Sequence, residues 1–241
     1  MIKTSSTGPE AKNRIINAAI QLFSQKGYDA TRVSDIASAA HVNKALIYYY
    51  FKSKEAILDH MVHSLLDNAV SITLDFIQTN IVQMIRDGLL VIRSDRLHFV
   101  SEEAIQHFLQ SAFRFHEEVV KYLIGQKEIV RILMLESLKN GKHQHSLFRF
   151  VDFMRNNEKI IRTISEAEHG LVFSNDVVLF EFFFSIIPII SFAAYFDDYK
   201  EVSSLSDAEL CNSFLRVSRL IFTSMISGND ILLQNRYINI L

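Results

Sequence analysis

The stretch "HVNKALIYYYFKSKEAIL", residues 41–58, decides how the chain is read. Tyr48, Tyr49, Tyr50 and Phe51 run together, and Lys52 and Lys54 follow at once. Consecutive helical residues point to every side of the helix, so a helical run of this kind turns some rings away from any core. A ring left outside needs a partner. Asn43 can cap a helix that begins at Lys44 and runs to about Tyr50, and Ser53 can do the same for one beginning at Lys54.

Reading back from this stretch, Ile15, Ile16, Ala19, Leu22 and Phe23 form one apolar stripe of a first helix. Gly27 is placed to end it in a left-handed cap, and "KGYDAT" is a short loop. The polar "MIKTSSTGPE" reads as an arm before Glu10. Thr31 is expected to cap a second helix, under three turns long, whose stripe is Val33, Ile36, Ala37 and Ala40. Two short helices joined by about four residues and packed through small side chains form a helix-turn-helix unit, whose second helix is the natural groove reader.

Reading forward, Ile57, Leu58, Met61, Val62, Leu65, Leu66, Ala69 and Ile72 keep helical spacing for about five turns. A helix of that length would leave the small N-terminal bundle, enter a second one and join the two mechanically. Periodicity near 80–93, 102–124, 125–139, 147–168, 176–198 and 206–227 also reads as helix, and "SLKNGKHQHS" as a loop. The chain has no internal repeat and no sustained heptad. The expected architecture is all-α: an N-terminal helix-turn-helix three-helix bundle, residues 1–54, and a larger C-terminal helical domain, residues 55–241.

Bulk properties agree with this plan. With 241 residues, 49% hydrophobic and 22% charged, the chain can build a substantial core, and only 7 Gly and 2 Pro are available to break helices. Cys211 is the single cysteine and cannot form an internal disulfide; with no secretory pattern at the start, a reducing, cytoplasmic setting is expected. The formal charge of −2 hides an asymmetry. Residues 1–60 carry eight Lys/Arg against five Asp/Glu, whereas the remainder carries seventeen against twenty-two. A basic first quarter on an acidic body points to a polyanionic partner for that quarter alone, although a solvated helical face gives an asymmetry of the same size.

"FSQKGYDATRVSDIASAAHVNKALIYYYFKSKEAIL" resembles the DNA-binding region of the tetracycline-repressor (TetR) family of transcriptional regulators. Phe23, Gly27, Tyr28, Thr31, Ile36, Ala37, Val42, Ile47, Tyr48, Phe51, Lys54 and Glu55 match that family's pattern in type and spacing. His41 departs from it, standing in the turn where the family usually has glycine; histidine tolerates a left-handed backbone better than most residues, or it reaches a phosphate. The resemblance covers roughly residues 10–60. It implies a homodimer on double-stranded operator DNA, with a C-terminal domain whose small-molecule effector reorients the two recognition helices. Half-sites spaced by about 34 to 36 Å, or a multiple, also require two copies of so small a unit.

The same resemblance places Lys54 at a phosphate-contacting position and Tyr48 at one that approaches DNA. Tyr49 and Tyr50 fall where neighbouring residues meet phosphates or a thymine methyl, Phe51 at a core position, and Lys44 and Ala45 where bases are read. Lysine donates to guanine acceptors or anchors a phosphate, and one of the three tyrosines is expected to pack between helices instead. Thr31, Arg32 and Ser34, at the start of the second helix, offer hydroxyl and amide donors to the DNA backbone, with Thr31 alternatively a cap alone. With Asn43, these are the candidate DNA-binding residues.

In the C-terminal half, "VVLFEFFFSIIPIISFAAYF", residues 177–196, carries one charge and matches a membrane span in length. Glu181, Pro188 and acidic flanks weaken that reading, so a buried helix of a dimer bundle is expected, kinked by Pro188 near Phe184 and Ser185. The resemblance makes the helices near 176–198 and 206–227 the homodimer interface. Phenylalanine-rich runs such as "HFLQSAFRF" and "LFEFFF" suggest a pocket for a small apolar or aromatic effector, or else plain core. His143 and His145 lack the further ligands of a metal site, and no cofactor motif or catalytic constellation appears, so neither metal, cofactor nor enzyme activity is expected. The rival expectation is a helical lipid-binding or membrane-associated protein.

Overall fold

Ile15, Ala19 and Phe23, four residues apart in turn, are all buried on one face of helix α1, Gly8–Lys26. They seat the first of the elements seen in the computed structural model, which describes residues 8–93, 96–139, 144, 147, 179 and 181–232. The described residues within 1–68 and 126–147 form one compact unit, and those within 69–125 and 148–241 a second. Helix α1 starts at Gly8, two residues before the expected Glu10, because Pro9 sits in the first turn, where no intrahelical partner for its missing N–H is needed. Gly27 closes α1 at φ +84°, its N–H donating to Phe23 O at 3.0 Å.

The rest of the first unit follows the sequence closely. Helix α2 is Val33–Ala39 and α3 is Lys44–Tyr50. Asn43 Oδ1 accepts from Leu46 N at 2.8 Å, and Ser53 Oγ accepts from Ala56 N at 3.1 Å at the start of α4, Lys54–Phe76. His41 holds the left-handed turn between α2 and α3 at φ 54°, the conformation expected of a glycine substitute there. Ile36, Ile47, Phe51, Ile57 and Leu58 are buried, and helix α7, Lys127–Ser137, packs on α1.

Thr31 does not cap α2. It is buried, and its hydroxyl donates to Gly27 O at 2.8 Å and Leu22 O at 3.3 Å. Arg32 takes the cap position instead, its own N–H donating to the Asp35 carboxylate at 3.1 Å. A threonine hydroxyl can serve either the next helix or the previous one, and here the orphan carbonyls at the end of α1 take it.

The second unit holds the largest departure from the periodicity. Beyond α4 the chain passes through a π-helical turn, Ile77–Val82, and a single α turn, α5, Gln83–Arg86. The helix expected to continue to residue 93 ends at Arg86, the chain turns through Gly88, φ +68°, and strand β1, Leu90–Arg93, pairs with β2, Arg96–Phe99. The helix expected to 227 likewise stops early: α10, Asp207–Thr223, is followed by β3, Ile226–Ser227, and β4, Asp230–Leu232, turning through Gly228 at φ +60°. The four strands form one antiparallel sheet in the order β1-β2-β4-β3.

Asp230 fastens the sheet, accepting from Arg96 at 2.8 Å and His98 at 2.6 Å. The His98 hydrogen bond, with that of Arg96, holds its carboxyl below the usual range. Leu90 and Phe99, paired across β1 and β2, are buried together with Met84, Ile105 and Phe108 on the apolar face of helix α6, Glu102–Gly125.

Around Pro188 the chain forms a second π-helical turn, Glu181–Ile186, before α8, Ile187–Ala194. Proline has no N–H for the carbonyl one turn earlier, and the ladder widens there rather than kinking sharply at Phe184 and Ser185. The sharp bend, 68°, falls instead between α8 and α9, Phe196–Ser203. Among the described residues no single helix is long and apolar enough to cross a membrane. All but the first residue of the helix expected at 147–168, the loop histidines His143 and His145, and most of 176–180 lie outside the described residues.

His116 is buried on α6, and burial, followed by the nearby Arg219 charge, pushes its pKa down to about 4 from 6.5. The folded protein therefore binds a proton at His116 more weakly than the unfolded chain does, so this group's stabilisation is lost as pH falls from about 6.5 towards 4. Urea unfolding from pH 7 to 4.5 should show a steeper acid loss for the wild type than for His116→Phe, in which no imidazole has to be kept neutral.

Candidate nucleic-acid interface

Helix α3 has two sides of different character. Ile47 is buried and Leu46 half-buried, whereas Lys44, Ala45, Tyr48 and Tyr49 are exposed, Tyr48 to 53% and Tyr49 to 79%. Lys44 and Tyr48, like Ala45 and Tyr49, are four residues apart and share a face. Neighbouring exposed aromatics of this kind form a patch of the sort that marks interaction sites.

Two contacts fix that face. Phe51 leaves the helix as its extended C-cap, with φ −135° and ψ 120°, and drops its ring into the core. The four-residue aromatic run therefore turns inward at its fourth member because the backbone changes conformation there. Tyr50 is half-buried: its hydroxyl donates to Gly8 O at 2.8 Å, and its ring meets Tyr49 edge-on at 5.0 Å. Tyr50 is thus less exposed than Tyr48 and Tyr49.

The other expected contacts divide in the same way. Arg32 is exposed at the start of α2 and Ser34 half-buried in its first turn, so both lie at the open end of the helix preceding α3. Asn43 is exposed at the start of α3, one side-chain oxygen already engaged by its cap. Thr31 is buried with its hydroxyl turned inward, which leaves it nothing to offer a duplex.

Lys54 has a use that its sequence position does not reveal. Its ammonium donates to Tyr28 O at 2.6 Å, Thr31 O at 3.0 Å and Asp29 O at 3.4 Å, and lies 4.1 Å from the centre of the Tyr28 ring. Three carbonyl acceptors occupy all three donors of an ammonium group, so the structure gives Lys54 the role of a strut beneath the loop between α1 and α2. Burial, then the charge of Glu55, pushes the Tyr28 phenol up to about 12, so its ring stays neutral beneath the cation.

Sequence reasoning missed a second fastener of this loop. Lys139, just past α7, donates to Asp29 at 3.1 Å and to Glu136 at 2.5 Å, and the Glu136 bond, reinforced by Asp29, raises the lysine pKa. No spacing rule links residues 110 apart, so nothing local could have found this pair.

Comparison with known proteins decides the affiliation. The profile described as "Bacterial regulatory proteins, tetR family" matches residues 15–61, the segment that builds α1 to the start of α4. The candidate HTH-type transcriptional regulator YttP of Bacillus subtilis (strain 168) is 30% identical over 139 residues, 55% of this chain and 67% of YttP. The chain belongs to the tetR family of bacterial regulatory proteins.

Within the family, the biofilm operon icaADBC HTH-type negative transcriptional regulator IcaR of Staphylococcus aureus (strain Newman) is 46% identical over 56 residues, 23% of this chain and 30% of IcaR. A candidate TetR-family regulator from Syntrophomonas wolfei superposes at a TM-score of 0.55 with 17% identity, over 89% of this chain and 96% of that one. A candidate fatty acid metabolism regulator from Clostridium perfringens does so at 0.53 with 18% identity, over 89% and 100%. These two likenesses support the predominantly helical fold with its N-terminal helix-turn-helix. The protein is a DNA-binding transcription regulator, and its relatives are regulators rather than enzymes.

Replacing Lys54 by Met keeps the apolar stem but removes the donors of three loop carbonyls. We expect the substitution to cost about 1–3 kcal/mol of stability, the penalty for stranding polar groups, read as a lower urea midpoint.

Proposed function

We propose that the protein is a homodimeric repressor that leaves its operator when a small apolar molecule binds its larger domain. Residues 1–54 carry DNA binding, and residues 55–241 carry effector binding and dimerisation. The observation that carries the reading is the exposed face of α3, where Lys44, Ala45, Tyr48 and Tyr49 stand clear of the core on a helix held by the Asn43 cap and Phe51.

In this reading Lys44 donates to base acceptors in the major groove, while Tyr48 and Tyr49 reach the sugar-phosphate backbone or a thymine methyl. Arg32, Ser34 and the exposed edge of Asn43 add backbone contacts. Thr31, Tyr50 and Lys54 hold the surface from behind. Such an interface is salt-sensitive, because each phosphate neutralised by a cation releases counterions.

Dimerisation is supported by apolar side chains left uncovered in the C-terminal helices. Phe183 and Phe184 on the π-helical turn and Val217 and Leu220 on α10 are each more than half exposed. These residues lie within the two segments, 176–198 and 206–227, to which the interface is assigned. Among the described residues no single helix is long and apolar enough to cross a membrane, and Glu181, Pro188 and the acidic flanks of the 177–196 stretch favour a bundle over a membrane-associated role. A cytoplasmic regulator fits this set of features.

Release requires the effector to bind the DNA-incompetent arrangement more tightly than the competent one, since only differential affinity moves the equilibrium. The test uses an operator selected from random DNA by the purified protein. Lys44→Ala and Tyr49→Ala should each weaken operator binding by about tenfold or more, at 1–3 kcal/mol per specific contact, without lowering the thermal midpoint. Lys44→Ala should also flatten the salt dependence if it meets a phosphate, and leave it steep if it reads a base. Full operator affinity in both variants, or partition of the wild type into liposomes with no DNA affinity, would overturn the proposal.

A further inference from the structure

Among the described residues, two buried side-chain atoms have no hydrogen-bond partner: His116 Nε2 and Ser185 Oγ. Buried polar groups in folded proteins are almost always paired, so each unpaired one needs an explanation. Other helical hydroxyls of this chain bond back to the carbonyl four residues earlier, as Thr73 does to Ala69 at 2.9 Å and Ser218 to Phe214 at 3.0 Å. Ser185 makes no such bond. It lies in the π-helical turn Glu181–Ile186. Single π turns within helices concentrate at functional sites.

The surroundings of His116 are aromatic. Phe214 lies nearly parallel to the imidazole, 6.3 Å away and inclined by 16°, and Phe222 presents its edge at 5.2 Å. Phe214 stacks in turn on Phe192 at 4.0 Å and 3°. Ser185 and Phe192 are seven residues apart, about two turns, and so fall on the same side of their helix. Phe214 of α10 thus meets both His116 of α6 and Phe192 of α8, and Ser185 lies about two turns before Phe192 along the same side.

We propose that His116 and Ser185 are the polar anchors of the effector site, and that the effector is an uncharged, ring-bearing apolar molecule with one hydrogen-bonding oxygen or nitrogen. The assignment rests on the effector-responsive reading given above and narrows it to a ligand class. A neutral imidazole and a hydroxyl can each donate or accept, so an alcohol, phenol, ketone or amide suits either. A carboxylate does not suit them, because neither anchor carries a charge to offset its loss of water. Arg219, the cation that His116 senses, is itself exposed and lies over the Phe113 ring at 5.2 Å.

Naphthalene, 2-naphthol and 2-naphthoate share one ring system and differ only in the polar group, and they serve as probes of the full-length protein. Binding is measured by calorimetry and by the rise in thermal midpoint. Wild type should bind 2-naphthol about tenfold more tightly than naphthalene, the worth of one well-made hydrogen bond to a stranded group, with 2-naphthoate weakest. His116→Phe keeps a ring for stacking and should erase the preference for naphthol, whereas His116→Gln should restore part of it. If His116→Phe fails to fold, Ser185→Ala provides the comparison, with a reduced preference expected. Equal binding of naphthol and naphthalene by wild type, a preference that survives in both variants, or tightest binding of naphthoate overturns the assignment. Binding of none of the three by a protein that still holds its operator also overturns it, and leaves the regulator reading standing.

Discussion

The loop between α1 and α2 is six residues long, and its carbonyls are held by two side chains. Thr31 donates back to Leu22 and Gly27, while Lys54 donates to Tyr28, Asp29 and Thr31. A loop made rigid in this way sets where α2 begins relative to α1, and the lysine that rigidifies it is the first residue of α4. The direction of α3 depends on the same arrangement, because α2 leads into it through a turn that His41 holds in the left-handed region. The exposed tyrosines are thus positioned by groups that lie outside their own helix.

How far the sequence was legible depended on whether the partner of each group was local. Asn43 and Ser53 cap their helices as expected because a cap bonds an amide three residues away. Gly27, His41 and Phe51 were readable for the same reason, each answering to the backbone conformation at its own position. Thr31 and Lys54 were not, because their acceptors are main-chain carbonyls, which leave no mark in a sequence. Lysine next to glutamate at a helix start looks the same whether its ammonium faces water, a phosphate or three carbonyls.

The second unit was harder to read for a related reason. "LLVIRSDRLHFV" holds β-branched and apolar residues whose spacing also suits a helix, and its pairing partner, Asp230 to Leu232, lies more than 130 positions downstream. Once paired, Asp230 explains itself through Arg96 and His98. The orphaned atoms of His116 and Ser185 are the converse case, groups whose chemistry is clear and whose partner the described chain does not supply.

The central strand β2 takes β1 on one side and β4 on the other, so one neighbour is adjacent in sequence and the other arrives only near residue 230. During synthesis from the N-terminus, the residues of the first unit are complete by about residue 147, while β2 still waits for its second neighbour. Contacts of such long sequence separation form late, because a large loop must close before they return any energy. The nascent chain therefore acquires its helix-turn-helix unit on the ribosome well before the sheet can close, which waits until residue 232 has been made.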